Sequence, residues 1–250
     1  MATGFLHHIG TFLLFASAIL LLITTISAPV INDIGMLKVK LTNGTENANS
    51  VVSFGTFGYC VLDVDTKGND YCTKKHIGYN PASIMSHIES TDFSTASEDT
   101  SKGLTRVMIL HPVACGVMFI AFLLALGAGF IGSFLASLVS FVAFIIALVA
   151  MACDFVLFGI IKNHVNGDAS GSHAYFSVGI WCVLAAMVAG FLGAVLVFVT
   201  CLSKRMHEKR RRGSVGEKGY VGGASPARRH FWQRGEIATR FWCLGVKVGR

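Results

Sequence analysis

Cys60 and Cys72 stand twelve positions apart, with His76 close behind, in the stretch 53–81, the most feature-rich polar segment of an otherwise apolar chain. Two thiols and an imidazole at that spacing could ligate a metal, exchange electrons or close a disulfide, and each chemistry demands different surroundings. Asp154 is a second candidate, a carboxyl in the 55-residue apolar stretch 107–161, where His111 is its only charged or imidazole companion. A third is the basic run Lys204, Arg205, Lys209, Arg210, Arg211 and Arg212, which ends two residues before Ser214.

What positions these groups is set by composition. Hydrophobic residues make up 53% of the chain, charged residues 14%, and the mean hydropathy of +0.60 lies with integral membrane proteins. A net charge of +7 suggests nucleic acid until it is counted by region. Residues 202–250 carry 13 Lys/Arg against 3 Asp/Glu, whereas residues 29–106 carry 7 against 9, so the basicity belongs to one tail beside a membrane.

Four spans are expected, at about 9–28, 107–128, 134–161 and 175–202, each long enough to cross a hydrocarbon core of roughly 30 Å. The first has no positive residue ahead of it and Pro29 after its small residues, so it reads as a retained span and not a cleaved signal. The long apolar stretch divides at Gly127-Ala128-Gly129 and Gly132-Ser133, and Gly179, Gly190 and Gly193 permit close helix approach in the last span. The intervening loop 29–106 holds β-favouring runs at 37–41, 51–57 and 59–64 separated by turn formers, then a short helix plus a loop over 84–105. Loop 162–174 is short and polar. The fold class is therefore a mainly α membrane protein: a four-span domain over 1–205, with a small antiparallel sheet between spans 1 and 2. A basic tail follows at 206–250, largely disordered, its stretch 213–230 rich in Gly, Ser and basic residues.

Basic residues directly after the fourth span put both termini in the cytoplasm by the positive-inside rule, and the loop 29–106 outside it. There thiols meet an oxidising environment, which favours a Cys60–Cys72 disulfide stabilising the loop by about 2–4 kcal/mol. The rival metal site, with His76, lacks a fourth ligand and matches no zinc spacing. Asn43-Gly44-Thr45 is a glycosylation sequon in the same loop, consistent with that topology.

Asp154 is expected within the membrane, as a proton site following external pH or as a carboxyl hydrogen-bonded to Thr24, Thr25, Ser27 or His111. His76, His87, His164 and His173 lie in the loops and are expected to be solvated bystanders. Cys115, Cys153, Cys182 and Cys201 read as apolar filler, with Cys201 also placed for palmitoylation. The basic cluster is expected to attract anionic inner-leaflet lipids, an attraction that a phosphate on Ser214 would weaken.

A first span ending near Ser27, Pro29 and Ile31, then Phe54-Gly55, Phe57-Gly58-Tyr59-Cys60, Cys72 and Ile77-Gly78-Tyr79 ahead of three more spans, resembles the fungal PalI family. That family of four-span proteins is grouped with the cortical-patch proteins of eisosomes and is distantly similar to claudins. The resemblance implies a claudin-like bundle with an outward sheet stapled by the paired cysteines. It also implies a plasma-membrane protein that assists a seven-span sensor reporting alkaline ambient pH. Family members often carry a long polar cytoplasmic tail, whereas fewer than 50 residues follow the last span here. The alternative reading is a structural organiser of cortical domains, with cortical-patch proteins as partners. No nucleophile elbow, phosphate-binding glycine loop or paired metal motif is present, so neither enzyme activity nor a cofactor is expected, and no nucleic-acid partner.

Overall fold

The computed structural model describes residues 2–42, 50–63, 69–89, 93–127, 130–167 and 171–217. Helix α1 (Ala2–Thr25) is followed by strands β1 (Leu37–Lys40), β2 (Val51–Phe54), β3 (Tyr59–Leu62) and β4 (Tyr71–Cys72). Helices α2 (Pro81–Glu89), α3 (Thr95–Val107), α4 (Leu110–Leu126) and α5 (Phe130–Gly167) come next, then β5 (His173–Phe176) and α6 (Val178–Glu217). Four helical segments, 5–25, 95–126, 132–167 and 178–203, are long and apolar enough to cross a membrane. With their outward rows of exposed Phe, Leu, Ile and Val, they make this a multi-pass membrane protein.

The long helices follow from uninterrupted apolar sequence, and their breaks have local causes. Pro112 has no N–H to give the Met108 carbonyl, which takes the His111 N–H instead at 3.1 Å; the chain turns at Met108–Ile109 and divides α3 from α4. α4 stops where Gly127 caps it, its N–H on the Leu123 carbonyl. α3 starts at Ser94, whose hydroxyl accepts the Ser97 N–H.

The sheet is antiparallel throughout, in the order β4-β3-β2-β1-β5. Its fifth strand comes from the second loop: Leu37 pairs with Phe176 and Lys40 with His173. This differs from the expectation of a plain polar loop over 162–174 and a span beginning at Tyr175. α5 continues to Gly167, Tyr175 and Phe176 are spent on the sheet, and α6 starts at Val178. Similarly, 84–105 contributes to two helices where one and a loop were expected, and α6 runs through 213–217, which were expected to be unstructured.

Two apolar clusters fill the interior. One lies under the sheet and gathers Leu37, Val39, Val52, Phe54, Tyr79, Met85, Met108, Leu157, Phe158, Ile161 and Ile180. The other runs down the bundle through Leu14, Leu21, Ala114, Met118, Ala143, Ala147, Ala186 and Val197. Two glycines of α6 are spent on contacts within the bundle: a Cβ on Gly193 would meet the Gly10 carbonyl at 3.0 Å, and one on Gly190 the Ser17 hydroxyl at 2.9 Å. Gly179, expected to serve helix approach, lies instead against the segment before β1, where a Cβ would meet the Gly35 carbonyl at 2.7 Å. Ser17 Oγ donates to the Ala186 carbonyl at 2.7 Å across the same α1–α6 contact.

Candidate functional site

The motif residues close on one another. Phe54 and Tyr79 lie with parallel rings 6.5 Å apart, Tyr59 flanks Phe54 at 6.0 Å, and the Tyr79 phenol donates to the Gly55 carbonyl at 2.7 Å. Two glycines make this possible. A Cβ at Gly55 would stand 2.6 Å from the Ala28 backbone nitrogen, so only glycine lets β2 end against the turn that leaves α1. Gly78 adopts φ +76°, the left-handed conformation that swings Tyr79 inward, and a Cβ there would press on Arg106 Cγ at 2.8 Å. Thr105 Oγ1 donates to the Tyr79 carbonyl at 2.6 Å and ties the clasp to α3. Burial first, and the Asp154 carboxylate second, hold the Tyr79 phenol well above its ordinary pKa of 10.0.

Beneath the clasp, where the two apolar clusters meet, α4 and α5 bring His111 Nε2 and Asp154 Oδ2 to 2.9 Å. His111 lies one turn past Met108 and Asp154 one turn before Leu157 and Phe158. Both side chains are sealed, 0% and 1% exposed. The contact is short but does not count as a hydrogen bond, and His111 Nδ1 and Asp154 Oδ1 are likewise buried without a hydrogen-bond partner. Among the described residues, Tyr79 and Cys153 lie within electrostatic reach of Asp154. A pair so enclosed has few ways to lower its energy. It can share a proton, hold opposite charges, or change state when the packing above it moves.

Of the four partners considered for Asp154, His111 is the one in place. Thr24 and Thr25 both donate to the Leu21 carbonyl at 2.8 Å, and Ser27 Oγ is engaged with Thr56. Cys60 and Cys72 are directly opposed in the β3–β4 register and form a disulfide. His76 is exposed beside them, and among the described residues no group of three His, Cys, Asp or Glu could hold a metal. His87 and His173 are exposed, while His164 is half-buried against the Phe93 ring. Cys201 is 2% exposed, so a thioester there would require its side of α6 to open. Lys204, Arg205, Lys209–Arg212 and Ser214 fall on the helical backbone of α6. Asn43 lies outside the described residues. Sequence reasoning did not find the Tyr79–Gly55 bond, although both residues stand in the FG and IGY elements that carry the resemblance.

The SUR7/PalI family model matches residues 6–203. The chain is 29% identical over 221 residues to the pH-response regulator protein palI/prr-5 of Neurospora crassa, covering 84% of this chain and 27% of that protein. It is 27% identical over 206 residues to the pH-response regulator protein palI/RIM9 of Pyricularia oryzae, covering 78% and 25%. Over 119 residues it is 31% identical to the namesake in Emericella nidulans, covering 47% and 18%. It thus spans about a quarter of the length of the first two relatives.

Proposed function

Because the chain belongs to the SUR7/PalI family, a claudin-like family of membrane proteins, we propose that it is a non-enzymatic plasma-membrane component of ambient (alkaline) pH sensing and signalling, assisting a seven-span sensor. The observation that carries this reading is the similarity to relatives named as pH-response regulators over 84% and 78% of the chain. The basic residues that follow the last apolar stretch orient it with both termini in the cytoplasm and the sheet outside. In that orientation Asn43 is available for glycosylation, and the basic cluster faces the anionic inner leaflet, tunable by phosphorylation at Ser214. Asp154, paired with His111, is the proton-responsive element, held beneath the clasp that joins the sheet to the bundle.

The test is a deletion strain. Loss of growth and of the transcriptional response at alkaline pH supports the reading. Displaced cortical patches with an intact alkaline response would overturn it in favour of a structural organiser.

A further inference from the structure

Between α5 and α6, at the end of the bundle away from the sheet, lies an apolar groove of about 280 Å³. Its floor is one small residue from each helix, Ser137 and Ala194, 7% and 4% exposed. Its walls include Phe141, Phe191, Val195 and Phe198, each between 37% and 51% exposed. Ser137 Oγ spends its proton on the Ala194 carbonyl at 3.5 Å, so the floor offers no free donor with which to read a polar ligand. Phe144 packs on Phe191 at 5.0 Å and holds that wall upright.

In a membrane such a slot is filled from the hydrocarbon layer. A transmembrane helix is roughly 10–12 Å across and too broad for a slot floored by two single residues, whereas an alkyl chain fits. The wall residues of α6 also point to what stands at the groove's rim. Phe191, Val195 and Phe198 recur at spacings of four and three, and the same register passes Leu202 and arrives at Arg205, with Lys204 beside it. From Phe198 to Arg205 the helix rises roughly 10 Å, the step from buried tail to headgroup.

We propose that this groove seats an acyl chain of an anionic phospholipid whose headgroup is held by Lys204 and Arg205. The inference goes beyond general attraction of basic residues to a charged surface, because it fixes one lipid at one place. It requires that the helices span a membrane and is independent of which way round they do so.

The test uses the full chain in nanodiscs of phosphatidylcholine, doped in parallel with phosphatidylserine or phosphatidylcholine carrying a photo-crosslinking group in the acyl tail. Nanodiscs carry the same lipid on both faces, so failure here is distinguishable from failure of the proposed orientation or of the signalling role. Expected is labelling concentrated on Phe141, Phe191 and Phe198, with phosphatidylserine preferred roughly thirtyfold, the scale of two basic contacts near the surface at about 1 kcal/mol each. Lys204→Gln with Arg205→Gln should abolish the preference while leaving tail labelling. Ala194→Phe should abolish the labelling, with retention of the Cys60–Cys72 disulfide and helical circular dichroism as the check on folding. Equal labelling by the two lipids, labelling spread evenly over every lipid-facing position, or crosslinks to a second protein in place of lipid would each overturn the proposal. Should Ala194→Phe not fold, the charge variant alone decides, since it leaves the packed part of the bundle untouched.

Discussion

Replacing His111 with Leu and Asp154 with Val, singly and together, separates packing from signalling at the buried pair. Both side chains are sealed and the facing atoms are 2.9 Å apart. Each single change leaves a polar group buried without its partner, at a cost of roughly 3–5 kcal/mol. Changing both removes the polar groups together, and such double replacements range from neutral to about 1–4 kcal/mol stabilising. The expected pattern is two destabilised single variants and a double variant as stable as the parent, measured by unfolding the purified chain in detergent. The same alleles at the native locus are then read for growth and transcription at alkaline pH. If the pair is the proton-responsive element, the double variant folds, reaches the membrane and fails to respond. A double variant that responds normally would refute the assignment of pH sensing to Asp154, and single variants no less stable than the double would refute the buried pairing itself.

Tyr79→Phe keeps the ring against Phe54 but leaves the Gly55 carbonyl without its donor, for an expected loss of about 1–3 kcal/mol measurable in the same unfolding assay. Gly55→Ala forces a Cβ into the Ala28 backbone, with 2.6 Å to its nitrogen, and should abolish accumulation of the folded chain in the membrane fraction. Cys60→Ser opens the loop and should cost roughly 3 kcal/mol on the chain-entropy scale, with slowed maturation on a pulse–chase gel. Tyr79 also sets an alkaline limit. Its pKa in the folded chain is raised above the unfolded value of 10.0, so its contribution is fully present below that pH. Above it, stability should fall by up to about 1.4 kcal/mol per pH unit until the folded phenol ionises. Tyr79→Phe should flatten that slope.

The membrane helices were legible because their signal is long and one-sided, and the first three strands because β-branched and aromatic runs sit between turn formers. β5 was not, since four residues directly before an apolar stretch are indistinguishable from its first turn. What makes His173–Phe176 a strand is β1, far away in sequence. The extension of α5 to Gly167 has a similar origin, as Ile161 and Val165 are held in the cluster beneath the sheet. At the candidate site, composition singled out Asp154 because a lone carboxyl is costly in lipid, and it left His111 as one of four possible partners. Choosing among them needed the relative rotation of α4 and α5, which no local pattern encodes. The clasp was visible as a motif but not as a mechanism, because the Tyr79 phenol and the Gly55 carbonyl meet only when loop and sheet fold together.

The pairing of β1 with β5 has a consequence for how the molecule is made. Thr42 reaches Ser172 and Gly171 by hydrogen bonds across about 130 positions of chain, so that edge of the sheet stays open until the segment after α5 has emerged. While synthesis continues, β1 presents an unpaired ladder, the kind of edge that recruits chaperones or another chain. Arrival of the last strand therefore marks the point at which α5 is complete and α6 is still to follow. A cell inspecting this protein needs to examine only that edge to learn whether the chain has been made through the end of α5.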